Sequence, residues 1–171
     1  MRLAIFVILF LVAVQRLVEI VYAQRNTRAL LARGAVEIGR AHYPLIVVLH
    51  AAWLTAIVLL LPPDATIHWW AFGIFIMLQL ARVWVIATLG PYWTTRIITI
   101  GGAPLVRKGP YRFVRHPNYL VVAGEIAVLP LAFGEVGVAI VFTVLNAAVL
   151  TWRIRTEDMA LAARRQTAGT A

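Results

Sequence analysis

The chain has 171 residues, 62% of them hydrophobic and only 13% charged, where a soluble domain carries roughly 45–50% and about 25%. This is the composition of an integral membrane protein. The formal charge of +9 falls in blocks between apolar runs, a pattern of membrane topology rather than of a basic reading face, so nucleic acid is not an expected partner. Cysteine is absent, which excludes disulfides, thiolate metal sites and thiol nucleophiles.

Five apolar segments follow one another: Leu3–Tyr22, Pro44–Leu61, Ile67–Leu89, Tyr119–Phe133 and Val136–Trp152. A helical crossing takes about 20 residues, and the first three segments suffice. The start of the chain has the look of a secretory signal, with Val21-Tyr22-Ala23 as a cleavage site. Gln15, Arg16 and Glu19 interrupt that run, however, and its cations follow it instead of preceding it, so a retained span is predicted. Pro62-Pro63 stops the second segment and Gly90-Pro91 the third, while Pro44 and Pro117 suit first helical turns. The short fourth segment runs through Gly134-Glu135 straight into the fifth, which predicts a tight helical hairpin with both ends on one side. The expected fold is an all-α integral membrane protein of about five transmembrane helices in a single domain, residues 1–171.

Between the spans, the stretch 24–42 holds Arg25, Arg28, Arg33 and Arg40, and the stretch 90–118 holds Arg96, Arg107, Lys108, Arg112 and Arg115. Arg153, Arg155, Arg164 and Arg165 follow the last span, whereas Pro62–His68 and Gly134-Glu135 carry no Arg or Lys. The positive-inside rule therefore puts the basic loops and the C-terminus in the cytoplasm and the N-terminus outside. Within 90–118, Thr94–Ile100 is β-branched, Gly101-Gly102-Ala103-Pro104 offers turn chemistry, and Leu105-Val106 resumes. A small hairpin at the cytoplasmic surface is expected.

Two polar constellations adjoin the last two spans. Taken singly, Tyr92, Trp93, Tyr111, Tyr119 and Trp152 suit an interfacial aromatic belt, and arginines at span ends snorkel. As a group they ask for more. His116 precedes Pro117 and is biased away from helix, so the helix begins at Pro117 and places His116, Asn118 and Tyr119 at an N-terminus that favours an anion. Arg153 and Glu157 are four apart on one face, in the reverse of the order that best supports a helix. Together they form a polar lip on an apolar bundle.

These residues carry a resemblance. Gly109-Pro-Tyr-Arg-Phe-Val-Arg-His-Pro-Asn-Tyr119 resembles the G-x-Y-x-x-x-R-H-P-x-Y motif of the isoprenylcysteine carboxyl methyltransferase family, and Arg153-x-x-x-Glu157-Asp158-x-x-Leu161 resembles its R-x-x-x-E-E-x-x-L, with Asp158 for the second acid. The likeness covers roughly residues 90–165 and is similar to that of short bacterial members. It implies a multi-span enzyme that binds S-adenosyl-L-methionine on the cytoplasmic side and methylates a carboxylate or phenolic oxygen of a lipophilic or prenylated acceptor. Carried over position by position, Ala103, Pro104, Leu105, Val106, Tyr111, His116, Pro117, Asn118, Tyr119 and Glu157 would lie against the cofactor. Arg153 would hold the acceptor, and His116 would serve as base if that acceptor were a phenol.

There is no G-x-G-x-x-G after a strand, so a soluble Rossmann-like methyltransferase is excluded. No His/Asp/Glu grouping has metal-ligand spacing, and no metal is expected. A nicotinamide-dependent membrane lipid reductase and a non-enzymatic transporter or scaffold are the alternative readings; NADPH, or no cofactor at all, would distinguish them. Arg16, Glu19, His50, Gln79, Arg82 and Glu125 fall inside apolar segments, where ionisable groups are costly and face the bundle interior. Pairing of Arg16 with Glu19 and of Arg82 with Glu125 is the expected arrangement, with substrate contact the other reading.

Overall fold

The computed structural model describes residues 1–100 and 106–167. Helix α1 runs Arg2–Ala32, strand β1 Val36–Ile38, α2 His42–Leu60, α3 Trp69–Leu89, β2 Ile97–Thr99, α4 Pro117–Ala132 and α5 Val136–Thr167. Two 3-10 turns, Gly90–Tyr92 and Gly109–Arg112, bracket the long loop between α3 and α4. Among the described residues, four helices are long and apolar enough to cross a membrane, and α4 is shorter at 16 residues. At 1.5 Å per residue α4 spans about 24 Å, less than the ~30 Å of hydrocarbon that a crossing covers.

Two helices run further than hydropathy indicates. The 31 residues of α1 continue past Tyr22 through Arg25 and Arg28, and the 32 of α5 continue past Trp152. Alanine, glutamine, arginine and leucine are good helix formers, so each helix persists where its apolar character stops. The expected loop 24–42 thereby shrinks to 33–41. The expected surface hairpin is built differently: β2 pairs antiparallel with β1, Val36 opposite Thr99 and Ile38 opposite Ile97. Of the anticipated return arm, Leu105 lies outside the described residues and Val106 is not in a strand. The β-branched run found its partner far back in the chain, because extended α1 delivers Val36–Ile38 to the same end of the bundle.

Helix α4 is the centre of the bundle, with Val121, Val122, Glu125, Ile126, Leu129 and Pro130 all buried. Pro130 cannot donate a hydrogen bond to the Ile126 carbonyl four residues earlier. The buried Trp53 indole of α2 supplies the donor instead, at 3.1 Å. Gly124 admits α3 closely, since a Cβ there would sit 2.9 Å from a Leu78 methyl. At the far end α4 and α5 are joined by Phe133, Gly134 and Glu135, and the His68 amide donates to the Ala132 carbonyl at 2.8 Å.

The bundle is layered. An apolar core of Ile5, Leu9, Trp53, Ile57, Phe75 and Leu129 occupies the far half. Above it lies a polar layer built from α1, α3 and α4. Arg82 Nε donates to Glu125 at 2.8 Å, and its second terminal nitrogen bonds the other Glu125 oxygen. Arg82 also reaches Glu19 at 3.2 Å; Arg16 reaches Glu19 at 2.9 Å and Glu125 at 3.0 Å. Gln79 donates to Gln15, and Gln15 to Glu19. The expected pairs exist, but as one network in which each arginine touches both carboxylates. A smaller apolar cluster of Ala23, Val85 and Trp93 separates this layer from the basic end.

The two arginines and two glutamates cancel, while Arg82 and Glu125 are only 4% and 2% exposed. Removing one member leaves a buried net charge, a loss of about 3–5 kcal/mol. Arg82→Leu should therefore lower thermal stability sharply, and adding Glu125→Leu should restore much of it, because Arg16 and Glu19 still balance. Equal melting temperatures for the single and double variants would contradict this network.

Glu135, in the turn before α5, is 6% exposed and neither carboxylate oxygen has a partner among the described residues. Desolvation raises its pKa from 4.5 to about 7. Between those values the folded protein binds the extra proton, so stability should fall as pH rises from about 4.5 to about 7 and then level off. Glu135→Gln should flatten that slope in pH-dependent melting curves.

Candidate active site

At the basic end, β1, β2, the 3-10 turns and the first turn of α4 fold over the extension of α5. Between them lies a cavity of about 710 Å³, within the size range of small-molecule sites. One wall comes from α4 and α5 and is polar. The floor is apolar and aromatic, with Leu30 from α1, Leu89 from α3 and Trp93 and Tyr111 from the loop.

The polar wall is assembled from residues far apart in sequence. Tyr119 Oη donates to Glu157 Oε2 and accepts from Arg153 Nε at 2.7 Å, so one hydroxyl joins the two α5 side chains. A terminal nitrogen of Arg153 donates to the Thr95 carbonyl at 2.8 Å, linking α5 to the loop before β2. His116 and Tyr119 stack with ring centroids 5.3 Å apart. The His116 ring presents Nε2 to Asp158 at 3.1 Å and Nδ1 toward Glu157 at 3.7 Å. The four-residue step between Arg153 and Glu157 puts both on the α5 face turned to α4. Pro117 at the first helical position places His116 and Tyr119 at the corresponding end of α4.

Beside this wall, Tyr111 is held by the second 3-10 turn. Gly109 starts that turn at φ +56°, with a Cβ position only 2.5 Å from the Thr88 hydroxyl, so glycine lets the loop seat against α3. Burial, and secondarily the Glu157 charge, push the Tyr111 phenol above its usual range, keeping it protonated at neutral pH. Arg96 faces the cavity but is already neutralised, donating to Glu37 of β1 at 2.7 Å and lying 4.4 Å from the Tyr43 ring. Asn118 lines the cavity with a buried Oδ1 that has no hydrogen-bond partner among the described residues.

Of the site residues expected from sequence, Val106, Tyr111, His116, Asn118, Tyr119, Arg153 and Glu157 line this one cavity. Pro117 is buried beneath it as the start of α4. Ala103, Pro104 and Leu105 lie outside the described residues. Sequence reading missed Thr95, whose carbonyl fixes Arg153, and Trp93, read as an interfacial marker but buried in the floor. A backbone carbonyl leaves no signature in residue type. Trp93 has one in Asn26, whose amide donates to the Trp93 and Gly90 carbonyls, but only contact reveals it.

Comparison with known proteins gives a family for the chain. Residues 71–163 match the family model described as "Isoprenylcysteine carboxyl methyltransferase (ICMT) family". The chain belongs to the isoprenylcysteine carboxyl methyltransferase family. The match spans both constellations, together with most of α3 and the loop that carries the cavity floor. Over 160 residues the chain is 35% identical to the uncharacterized protein YpbQ of Bacillus subtilis (strain 168), covering 91% of this chain and 95% of that protein. It is also 26% identical over 146 residues to an uncharacterized Haemophilus influenzae protein, covering 80% of this chain and 83% of the other. No solved structure matches the chain. Family membership and the apolar helices make this an integral membrane protein of a methyltransferase family.

The Tyr119 hydroxyl satisfies two charged groups at once. Tyr119→Phe removes an acceptor from Arg153 and a donor from Glu157, which should cost about 1–3 kcal/mol. Thermal denaturation of the purified protein in detergent would register this loss, while Tyr22→Phe, on the exposed face of α1, should change little.

Proposed function

We propose that this protein is an S-adenosylmethionine-dependent membrane O-methyltransferase whose acceptor is a lipophilic molecule bearing an acidic oxygen. The basic end, with its cavity and the C-terminal extension of α5, faces the cytoplasm; the N-terminus lies outside. The observation that carries the reading is the meeting of His116 and Tyr119 with Arg153 and Glu157 around one hollow.

The residues present fit the cofactor's chemistry. Glu157 and Asn118 Oδ1, unpartnered among the described residues, are acceptors for ammonium or ribose hydroxyl donors. The cavity arginines and the N-terminus of α4 suit a carboxylate. Trp93, Tyr111 and Leu89 give a flat, apolar floor for a heterocycle. Bound S-adenosylmethionine supplies a methyl group on a sulfonium, an electrophile that needs no metal.

What the protein's own side chains contribute is orientation and charge. Two of the five donors of Arg153 are spent on Tyr119 and Thr95, fixing the guanidinium so that the others can hold an acceptor oxyanion. Opposite charges that cancel during transfer do so more favourably in a low-dielectric chamber than in water. A carboxylic acceptor, with a pKa near ~4, arrives ionised and needs no base. A phenol near ~10 would have to pass its proton to a chain residue. His116, the residue placed for that task, already has Nε2 engaged with Asp158 at 3.1 Å, which leaves it less available to an incoming phenol and favours an acceptor already ionised.

S-adenosylhomocysteine should bind the purified protein in calorimetry and raise its melting temperature. Glu157→Ala, losing charge-assisted hydrogen bonds, should weaken that binding about 10- to 100-fold. Arg153→Ala should bind it more nearly as the parent does, yet transfer label from S-adenosylmethionine to membrane lipid at least ~10-fold more slowly. Binding of NADPH in place of S-adenosylhomocysteine, or unaltered turnover by both variants, would overturn the reading.

A further inference from the structure

Seven acidic residues must serve sixteen Lys and Arg, and the structure shows where each acid lies. Glu19 and Glu125 sit in the buried network. Glu37 is shared by Arg40 and Arg96. Glu157 and Asp158 face His116, and Asp64 and Glu135 lie at the opposite end. None of them pairs with the loop around the second 3-10 turn, although Glu157 lines the cavity that this loop borders. Arg107, Lys108, Arg112 and Arg115 are all exposed, and none makes an ion pair among the described residues.

The same loop has two faces. Pro110 is buried and Tyr111 turns to the cavity, while Gly109 is wedged against Thr88 at the basic end of α3. On the outer face, Phe113 is 72% and Val114 39% exposed, flanked by the cations. The Arg112 guanidinium lies 5.3 Å from the Phe113 ring. Since α3 ends and α4 begins beside it, this face stands where the bundle leaves the hydrocarbon. An exposed aromatic and aliphatic pair among unneutralised cations matches a surface lying in a negatively charged head-group layer.

We propose that residues 107–115 form a docking surface for anionic phospholipid of the leaflet at the basic end, with Lys108 and Arg112 on the head groups and Phe113 and Val114 below them. Because Arg107, Arg112 and Arg115 also border the cavity, this contact sets the cavity mouth at head-group level, where an amphiphile can reach it without leaving the membrane. The surface stands on charge and exposure alone and does not depend on which reaction the cavity performs.

The absence of cysteine permits a single-site test. Val114→Cys in the full chain carries a bimane fluorophore, and the protein is reconstituted into phosphatidylcholine vesicles. Brominated phosphatidylglycerol or brominated phosphatidylcholine serves as the quencher. The expected result is several-fold preferential quenching by the anionic lipid, weakened by raised salt. Lys108→Gln and Arg112→Gln should each reduce the preference about fivefold at most. Equal quenching by the two lipids, quenching by neither, or a preference untouched by both glutamine variants would each overturn the proposal.

Discussion

Four charges that cancel inside an apolar bundle constrain everything above them. Arg16, Glu19, Arg82 and Glu125 come from α1, α3 and α4, and each arginine contacts both carboxylates. In hydrocarbon an isolated charge is so costly that rotating any of the three helices away from this arrangement is strongly disfavoured. The network therefore orients α4 about its axis as well as attaching it to its neighbours. Glu125 and Tyr119 lie six residues apart on this helix, so fixing the first helps to aim the second.

The site depends on that aim. Helix α4 is too short to rely on length for its position, and what its first turn meets is the extension of α5 beyond the apolar segment. One tyrosine hydroxyl links the two helices through Arg153 and Glu157, and Thr95 adds the loop. The β1–β2 pair closes the other side, with Glu37 and Arg96 holding it together. A polar chamber thus rests on the Ala23, Val85 and Trp93 layer, which separates it from the buried charges. This separation would serve the proposed chemistry, with its water-soluble cofactor and oily acceptor. Both can meet at the boundary without opening the charged layer.

Much of this was legible in one dimension because membrane constraints act locally. Span positions follow from apolar runs and from Pro62-Pro63, Gly90-Pro91 and Pro117, and the site follows from two dense motifs whose residue types serve chemistry better than packing. Other features were not legible. The ends of α1 and α5 escaped hydropathy because helix propensity continued after apolarity stopped. The partner of β2 escaped because strand pairing depends on which segments three-dimensional packing brings together. Thr95 and Trp93 escaped because a carbonyl acceptor and a buried indole look, in sequence, like any loop threonine and any boundary tryptophan.

By itself, then, the sequence determined that this is a membrane protein with its cations gathered between and after the spans, that charges lie within those spans, and that two motifs concentrate polar side chains. Composition and periodicity suffice for that, since each residue's transfer into hydrocarbon is nearly independent of its distant neighbours. Only the tertiary structure decided that the charges form one balanced network, that His116 and Tyr119 face Arg153 and Glu157 across a single cavity, and that the loop cations make no ion pair among the described residues. Those outcomes depend on distances between helices, and a distance between remote residues exists only once the chain has packed.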